Sequence, residues 1–324
     1  MKVFEKLKEV ALEKKRTIIL PEGKDKRVLQ AAARLQADGY ANVQIAGKTK
    51  EILTSAQENE IDLGKVTIID METFPQLDQM ANDLVKLRHG KVNIDEAYEL
   101  LKTPPYFGTM MVYEGWSDGM VSGATHSTAD TVRPALQIIK TKPGMTRVSG
   151  AMIMERDEEK YIFADCAINI DPDSETLAEI AFQSAQTARM VNLDPKIAML
   201  SFSTKGSAKG PMVEKVQKAV KIMHAEHPEI MCDGELQFDA AFVPKIGKAK
   251  APDSKVAGQA NVFIFPELQS GNIGYKIAER LGNFQAIGPV LQGLAAPIND
   301  LSRGCSTEDI YLLSILTAAQ ANME

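Results

Sequence analysis

Short runs of Val and Ile alternate with amphipathic stretches over residues 17–123, and that rhythm limits the folds open to the chain. Thr17–Leu20 is an apolar run. Helical spacing follows over 25–38, with Val28, Ala31, Ala32 and Leu35 on one stripe and Gly39 as a stop. Val43–Ala46 then reads as a strand, 49–59 as a helix and Val66–Ile69 as a strand. Two more helices are predicted over 75–88 and 92–102, and Gly119–Gly123 is a strand opening into a loop. Val- and Ile-rich strands alternating with helices imply a mostly parallel sheet covered on both faces. The fold class is α/β.

The middle of the chain changes character. Ala151–Met154 and Tyr161–Ala164 flank the charged stretch Glu155–Lys160, which predicts an antiparallel hairpin with a polar turn. A helix over 175–191 carries an apolar stripe of Leu177, Ile180, Ala181, Ala188 and Val191, with Asp173 or Ser174 as its cap. The strand 197–202, a helix near 211–226 and the strand Val262–Phe265 continue the alternation. Residues 244–258, rich in Pro, Lys and Gly, read as a long exposed loop. Lys142-Pro143-Gly144 has the turn chemistry of a domain boundary.

Composition narrows the function classes. A chain of 324 residues can hold two ordinary domains. Its net charge of −6 argues against general nucleic-acid binding, so any phosphate site must come from a few focused Arg and Lys residues. No segment reaches the ~18 apolar residues of a membrane span. Cys166, Cys232 and Cys305 lie far apart without a CxxC pair, which fits a reducing cytoplasm and argues against structural zinc. No two glycines stand two apart, so the G-x-G-x-x-G fingerprint is missing. Gly47-Lys48-Thr49 imitates the end of a P-loop, but Asn42 occupies the required earlier glycine position. His224 and His227 read as solvated residues at a helix end rather than a metal pair, and no acidic cluster has metal-ligand spacing.

Three blocks carry chemistry. In Asn299–Ile310, Ser302, Arg303, Cys305 and Asp309 put a hydroxyl, a planar cation, a thiol and a carboxylate into one turn. The apolar run Ile310–Leu316 reads as the start of a buried helix, whose N-terminus favours an anion. Arg303 adds a donor fork suited to phosphate. Ser306-x-x-Asp309 is also a capping-box pattern, so Asp309 reads as a cap or as a base. In Asp118–Leu136, small residues, Ser127, Thr128, His126 and Arg133 surround a strand end, where α/β sheets bind ligands. Ser127-x-x-Asp130 is equally a capping box, and Arg133 before Pro134 disfavours a regular helix there. In Phe265–Lys276, Gly271 and Gly274 open a helix, either as a plain turn or to let a ligand approach backbone N–H groups.

Taken in this order, the three blocks resemble the phosphate acetyltransferase (phosphotransacetylase) family. Pro21-Glu22-Gly23 and the stretch Asp233–Ala241 are similar to it as well. The likeness covers essentially the whole chain, although many family members carry Pro where this chain has Glu235. It implies two α/β domains, residues 1–143 plus 292–324 and residues 144–291, with the active site in the cleft between them. It also implies a homodimer and reversible acetyl transfer between coenzyme A, a substrate here, and inorganic phosphate. No prosthetic group or metal is expected. The expected partners are acetyl-CoA, acetyl phosphate and phosphate, with no nucleic acid or membrane.

Residue roles follow from the same resemblance. Asp309 would be the base that takes the coenzyme A proton, and Ser302 would hydrogen-bond the reacting group. Arg303 would hold the phosphoryl oxygens, with Arg133 and Arg88 as further candidates; Arg88 also reads as a solvated helix-end cation. Ser127, Thr128, Cys305, Gly271 and Asn272 complete the substrate-binding candidates. Family precedent favours direct thiolate attack over a Cys305 thioester. The alternatives are a butyryl-phosphate enzyme, an inactive regulatory relative, and a metal-dependent decarboxylating dehydrogenase of similar fold. The intact Ser302, Arg303, Cys305 and Asp309 set speaks against the second, and the missing acidic metal cluster against the third.

Overall fold

Helix α1 (Val3–Glu13) leads into β1 (Thr17–Leu20), which takes the centre of a sheet because Ile18, Ile19 and Leu20 are apolar on both faces. Asp25 then caps α2 (Lys26–Asp38), its side chain accepting the Arg27 N–H at 2.8 Å. Gly39, at φ +83°, ends the helix by returning its N–H to the Leu35 carbonyl. Strand β2 (Asn42–Gly47), helix α3 (Thr49–Glu58) and strand β3 (Thr67–Asp70) repeat the pattern. Helices α4 (Leu77–Leu87), α5 (Ile94–Leu101) and α6 (Pro104–Tyr113) precede β4 (Gly119–Ser122), and α7 (Thr128–Pro134) follows it. Residues 3–323 are described in this computed structural model.

One expectation in this stretch needs correction. The helix does not break before Pro134; α7 runs through it, and the winding loosens to a π-turn over Ala135–Ile139. Proline removes one N–H donor, and the change of winding accommodates that loss.

Residues 144–293 form one of two compact units. The predicted hairpin is present as β5 (Ser149–Arg156) and β6 (Glu159–Ala164). Helix α8 (Ser174–Met190) is capped by Asp173, which accepts the Thr176 N–H at 2.8 Å. There follow β7 (Lys196–Leu200), α9 (Pro211–Glu226), β8 (Met231–Leu236), α10 (Phe238–Phe242), α11 (Pro244–Lys250), β9 (Val262–Ile264), α12 (Leu268–Gly282) and β10 (Gln285–Gln292). The sheet order is β10-β5-β6-β9-β7-β8, antiparallel at β10, β5 and β6 and parallel from β6 onward. The expected long exposed loop over 244–258 is overturned, since α11 occupies its start and Ala251 and Val256 are buried. Lysine-rich composition hides the ties that dock this segment: Gly258 N–H donates to Ala240 O at 2.9 Å and Ala260 N–H to Ala241 O at 3.2 Å. Buried Glu235 accepts from Ser203 Oγ at 2.9 Å and Gly206 N–H at 2.7 Å, fixing the loop after β7.

Phe4–Pro143 and the chain from Leu294 onward make the other unit. The returning segment adds β11 (Ile298–Asp300) and α13 (Thr307–Met323). Its sheet runs β11-β4-β1-β2-β3 with every pairing parallel. Register Ile298↔Met120, Asn299↔Val121 and Asp300↔Ser122 brings the loops after β4 and β11 side by side. Helix α13 is buried almost all round, as the run from Ile310 predicts. No helix among the described residues is long and apolar enough to cross a membrane.

Candidate active site

The loop after β4 is built around one buried carboxylate. Glu22 accepts the N–H groups of Gly123, Ala124 and Thr125 at 2.9, 2.8 and 2.9 Å, and the Thr125 hydroxyl at 2.8 Å. His126 Nδ1 lies 2.6 Å from the same carboxylate. Burial alone would raise the Glu22 carboxyl; the bonds from His126, Thr125 and Ala124 outweigh it and hold the group below its ordinary value. His126 moves the other way. Its hydrogen bond to Glu22 raises it against burial, and the charges of Glu22 and Asp130 add to the rise.

Gly123 is required where the two loops meet. At φ +116°, a Cβ on it would stand 2.5 Å from Asp300 Oδ1 and 2.6 Å from the Leu301 carbonyl. Leu301 N–H donates to Ser122 O at 2.8 Å, and the Thr128 hydroxyl to Asp300 Oδ2 at 2.6 Å. Burial pushes the Asp300 carboxyl up to about 6, with Thr128 and Thr131 opposing and Glu22 adding to the shift.

A single guanidinium then staples the loops. Arg27 donates to Ala124 O at 2.9 Å, Arg303 O at 3.0 Å and Cys305 O at 2.8 Å, while Asp25 balances its charge at 2.8 Å. Ser302 and Arg303 are thereby presented in an exposed turn in which Gly304 N–H donates to Ser302 Oγ at 3.3 Å. The Arg303 guanidinium has no partner among the described residues. Cys305 is buried behind the turn. Burial pushes its thiol up to about 11; Arg27 opposes, and Asp309, Glu22 and Asp25 reinforce the rise. Asp309 forms a full capping box: its Oδ2 accepts from Ser306 N–H and Oγ, both at 2.8 Å, and its own N–H donates to Ser306 Oγ at 3.1 Å.

The other candidates occupy different surroundings. Ser127 and Asp130 cap α7 reciprocally, at 3.1 and 3.3 Å. Arg133 is exposed with no hydrogen-bond partner among the described residues, and Arg88 is half-buried with its Nε unpartnered. Both act electrostatically on buried Tyr106, whose hydroxyl burial raises and they lower. Among the described residues, no hydrogen bond ties either to the Ser302–Cys305 turn. Gly271 and Asn272 lie in the first turns of α12, in the other unit. A Cβ on Gly271 would stand 2.1 Å from Asp165 O, so this glycine permits close helix packing. Asn272 donates to Cys166 O at 3.0 Å. His224 donates to Cys232 O at 2.7 Å and His227 stacks on Phe182, so neither is simply solvated.

Sequence reasoning passed over Glu22, Arg27 and Asp300, and named His126 without a role. Pro21-Glu22-Gly23 was the signal for Glu22, and Asp300 and His126 lay within the blocks Asn299–Ile310 and Asp118–Leu136, but Arg27 had no signal. Glu22, Asp25 and Thr125 also border a pocket of about 920 Å³ at the carboxyl ends of β1–β3, walled by Ile52, Met71 and Leu101.

The likeness to known proteins is nearly full-length. The chain is 54% identical over 319 residues to the phosphate acetyltransferase of Bacillus subtilis, covering 98% of this chain and 99% of the relative. Among solved structures, a phosphotransacetylase from Streptococcus pyogenes is 55% identical with TM-score 0.95, covering 99% of this chain and 98% of that one. The EutD phosphotransacetylase from Staphylococcus aureus is 52% identical with TM-score 0.89, covering 99% of each. Residues 2–318 match the family described as phosphate acetyl/butaryl transferase, and the chain belongs to that family.

Proposed function

We propose that this chain is a phosphate acetyltransferase, interconverting acetyl-CoA plus phosphate with acetyl phosphate plus coenzyme A. The observation that carries this reading is the 54% identity over 98% of the chain to a relative of that name. Coenzyme A and acetyl phosphate bind together, and the thiolate attacks the acetyl carbonyl directly. A carbon–sulfur bond forms, the carbon–oxygen bond to phosphorus breaks, and phosphate leaves. Asp309 takes the thiol proton. Arg303 holds the phosphoryl oxygens and, with Ser302, stabilises the oxyanion. Its unpaired guanidinium supports that role. Arg133 and Arg88 are further anion contacts, and Ser127, Thr128, Gly271 and Asn272 are binding positions. Cys305 lines the site without forming a thioester, which its raised thiol supports. The pocket beside Glu22 has room for the body of coenzyme A.

The protein works as a homodimer in the cytoplasm, a reading that rests on the resemblance and on three cysteines that are all free. No prosthetic group enters this chemistry. The deciding experiment mixes purified protein with coenzyme A and either acetyl or butyryl phosphate and follows thioester absorbance. Turnover should favour acetyl phosphate. Preference for butyryl phosphate would make the chain a butyryltransferase, and turnover of neither would end the enzymatic reading.

A further inference from the structure

The N–H groups of Gly123, Ala124 and Thr125 are not free to receive an anion, because Glu22 already takes all three. A buried carboxylate beneath this loop would moreover repel a phosphorylated substrate. One donor on the loop can reverse that sign. With Glu22 holding Nδ1 at 2.6 Å, the His126 ring carries its Nδ1 hydrogen toward the carboxylate. Its Nε2 has no partner among the described residues and is not among the buried unpartnered atoms, and the side chain is 28% exposed. Arg27 meanwhile binds Ala124 O and Arg303 O with one guanidinium, which keeps this loop beside the Arg303 turn.

We propose that His126 is a further substrate-contacting residue, donating Nε2–H to a phosphoryl oxygen of phosphate or acetyl phosphate, with Glu22 as its positioning residue. The inference rests on the transferase reading for its substrate but not for its chemistry, since any phosphate monoester dianion would be recognised the same way. Protonated His126 neutralises Glu22 and adds a charge-assisted hydrogen bond to the anion. The charged groups acting on the ring are Glu22, from the loop after β1, and Asp130, from α7; both favour the protonated form. A base at this position would need the neutral ring, so the surroundings suit a donor. Orientation of an imidazole by a buried carboxylate is a recurrent way to fix its tautomer.

Two measurements test this. The first follows the His126 imidazole resonances of the intact protein by NMR across pH, assigned with His126→Gln, with and without saturating inorganic phosphate. Phosphate should move the His126 midpoint upward. The second is steady-state kinetics across pH. His126→Gln should raise the KM for acetyl phosphate about tenfold to a hundredfold near pH 6.5 and leave the KM for coenzyme A within about twofold. The wild-type KM should climb as pH rises through the His126 ionisation, and that step should vanish in the variant. Glu22→Gln should shift the step to lower pH, while Glu22→Asp should restore part of the shift; if either variant fails to fold, the two His126 measurements still decide. A wild-type KM for acetyl phosphate with its pH step intact in His126→Gln, or an imidazole indifferent to phosphate, would overturn the proposal. Should the wild type not turn over acetyl phosphate at all, the transferase reading falls, and a phosphate-responsive His126 would still support the anion contact.

Discussion

Arg27 reaches across 278 residues of sequence to Cys305, its Nη1 standing 2.8 Å from the Cys305 carbonyl oxygen and 3.8 Å from the sulfur. The side chain is three-quarters buried and paired with Asp25, so its geometry is set before any ligand arrives. The turn bearing Ser302 and Arg303 is therefore held by a residue in the first turn of α2.

Replacement of this staple should damage catalysis more than folding. Arg27→Lys keeps the cation but cannot reach three carbonyl groups in one plane. A hydrogen bond involving a charged group contributes about 1.5–3 kcal/mol, and at least one is lost. The expected result is a fall in kcat/KM of about tenfold or more with a loss of only a few degrees in Tm. Wild-type kinetics in Arg27→Lys would show that the turn holds its shape unaided.

Arg303 makes a complementary prediction, because its guanidinium is exposed and has no partner among the described residues. Arg303→Lys removes the donor fork and should raise the KM for acetyl phosphate about tenfold or more without changing Tm. Unaltered kinetics would reduce Arg303 to a surface cation.

Cys305 is expected to be a poor nucleophile. Buried, and pushed up to about 11, its thiol holds little thiolate at neutral pH. Cys305→Ala should retain substantial activity, with any loss coming from packing behind the turn. Alkylation by iodoacetamide should be slow at pH 7 and quicken as pH rises toward 11. An acetylated Cys305 that forms and decays at the turnover rate would establish a thioester route instead.

What could be read from the sequence follows how far apart the interacting residues lie. The strands around Ile18, Ile45 and Ile68 were legible because short apolar runs between amphipathic helices mark a parallel sheet, whether the strand is buried at the centre, as β1 is, or only partly covered at the edge, as β3 is. The caps at Ser127 with Asp130 and Ser306 with Asp309 were legible because their partners are three residues apart. The docking of 244–258 was hidden, since it depends on distant carbonyls at Ala240 and Ala241 while the local composition is that of a loop. At the site, Ser302, Arg303 and Cys305 stand together in one turn and announce themselves. Glu22 with His126 and Arg27 with Cys305 are separated by 104 and 278 residues; the pairing of β1 beside β4 aligns the first pair, and the return of β11 beside β4 brings in the loop of the second.

Asp300 provides a test of stability. Its folded-state value of about 6 lies above the ordinary 3.8, so the native state favours the protonated form. The contribution is then fully present below about pH 4 and is lost as pH rises through about 6. The loss is of the order of 2–3 kcal/mol. Asp300→Asn is neutral at every pH and should remove that slope. Denaturant unfolding at pH 5 and pH 8 should show the variant gaining on the wild type at the higher pH. Parallel curves would mean that Asp300 titrates alike in the folded and unfolded chains.

Asp309 separates structure from catalysis most sharply, because the capping box is complete and the proposed proton transfer needs the same carboxylate. An N-cap interaction contributes roughly 0.5–2 kcal/mol and tolerates an amide, whose oxygen can still accept from Ser306. General-base catalysis contributes about 10²–10⁴-fold in rate and requires an ionisable group. Asp309→Asn should consequently unfold within about 1 kcal/mol of the wild type while losing at least about a hundredfold in kcat. Ser306→Ala removes the hydroxyl that both accepts the Asp309 N–H and donates to its carboxylate. It should lower stability by about 1 kcal/mol with a smaller effect on rate. The two variants thus move opposite readouts, unfolding midpoint for Ser306 and turnover for Asp309. Near-normal turnover in Asp309→Asn would leave the carboxylate as a cap and send the search for the base elsewhere.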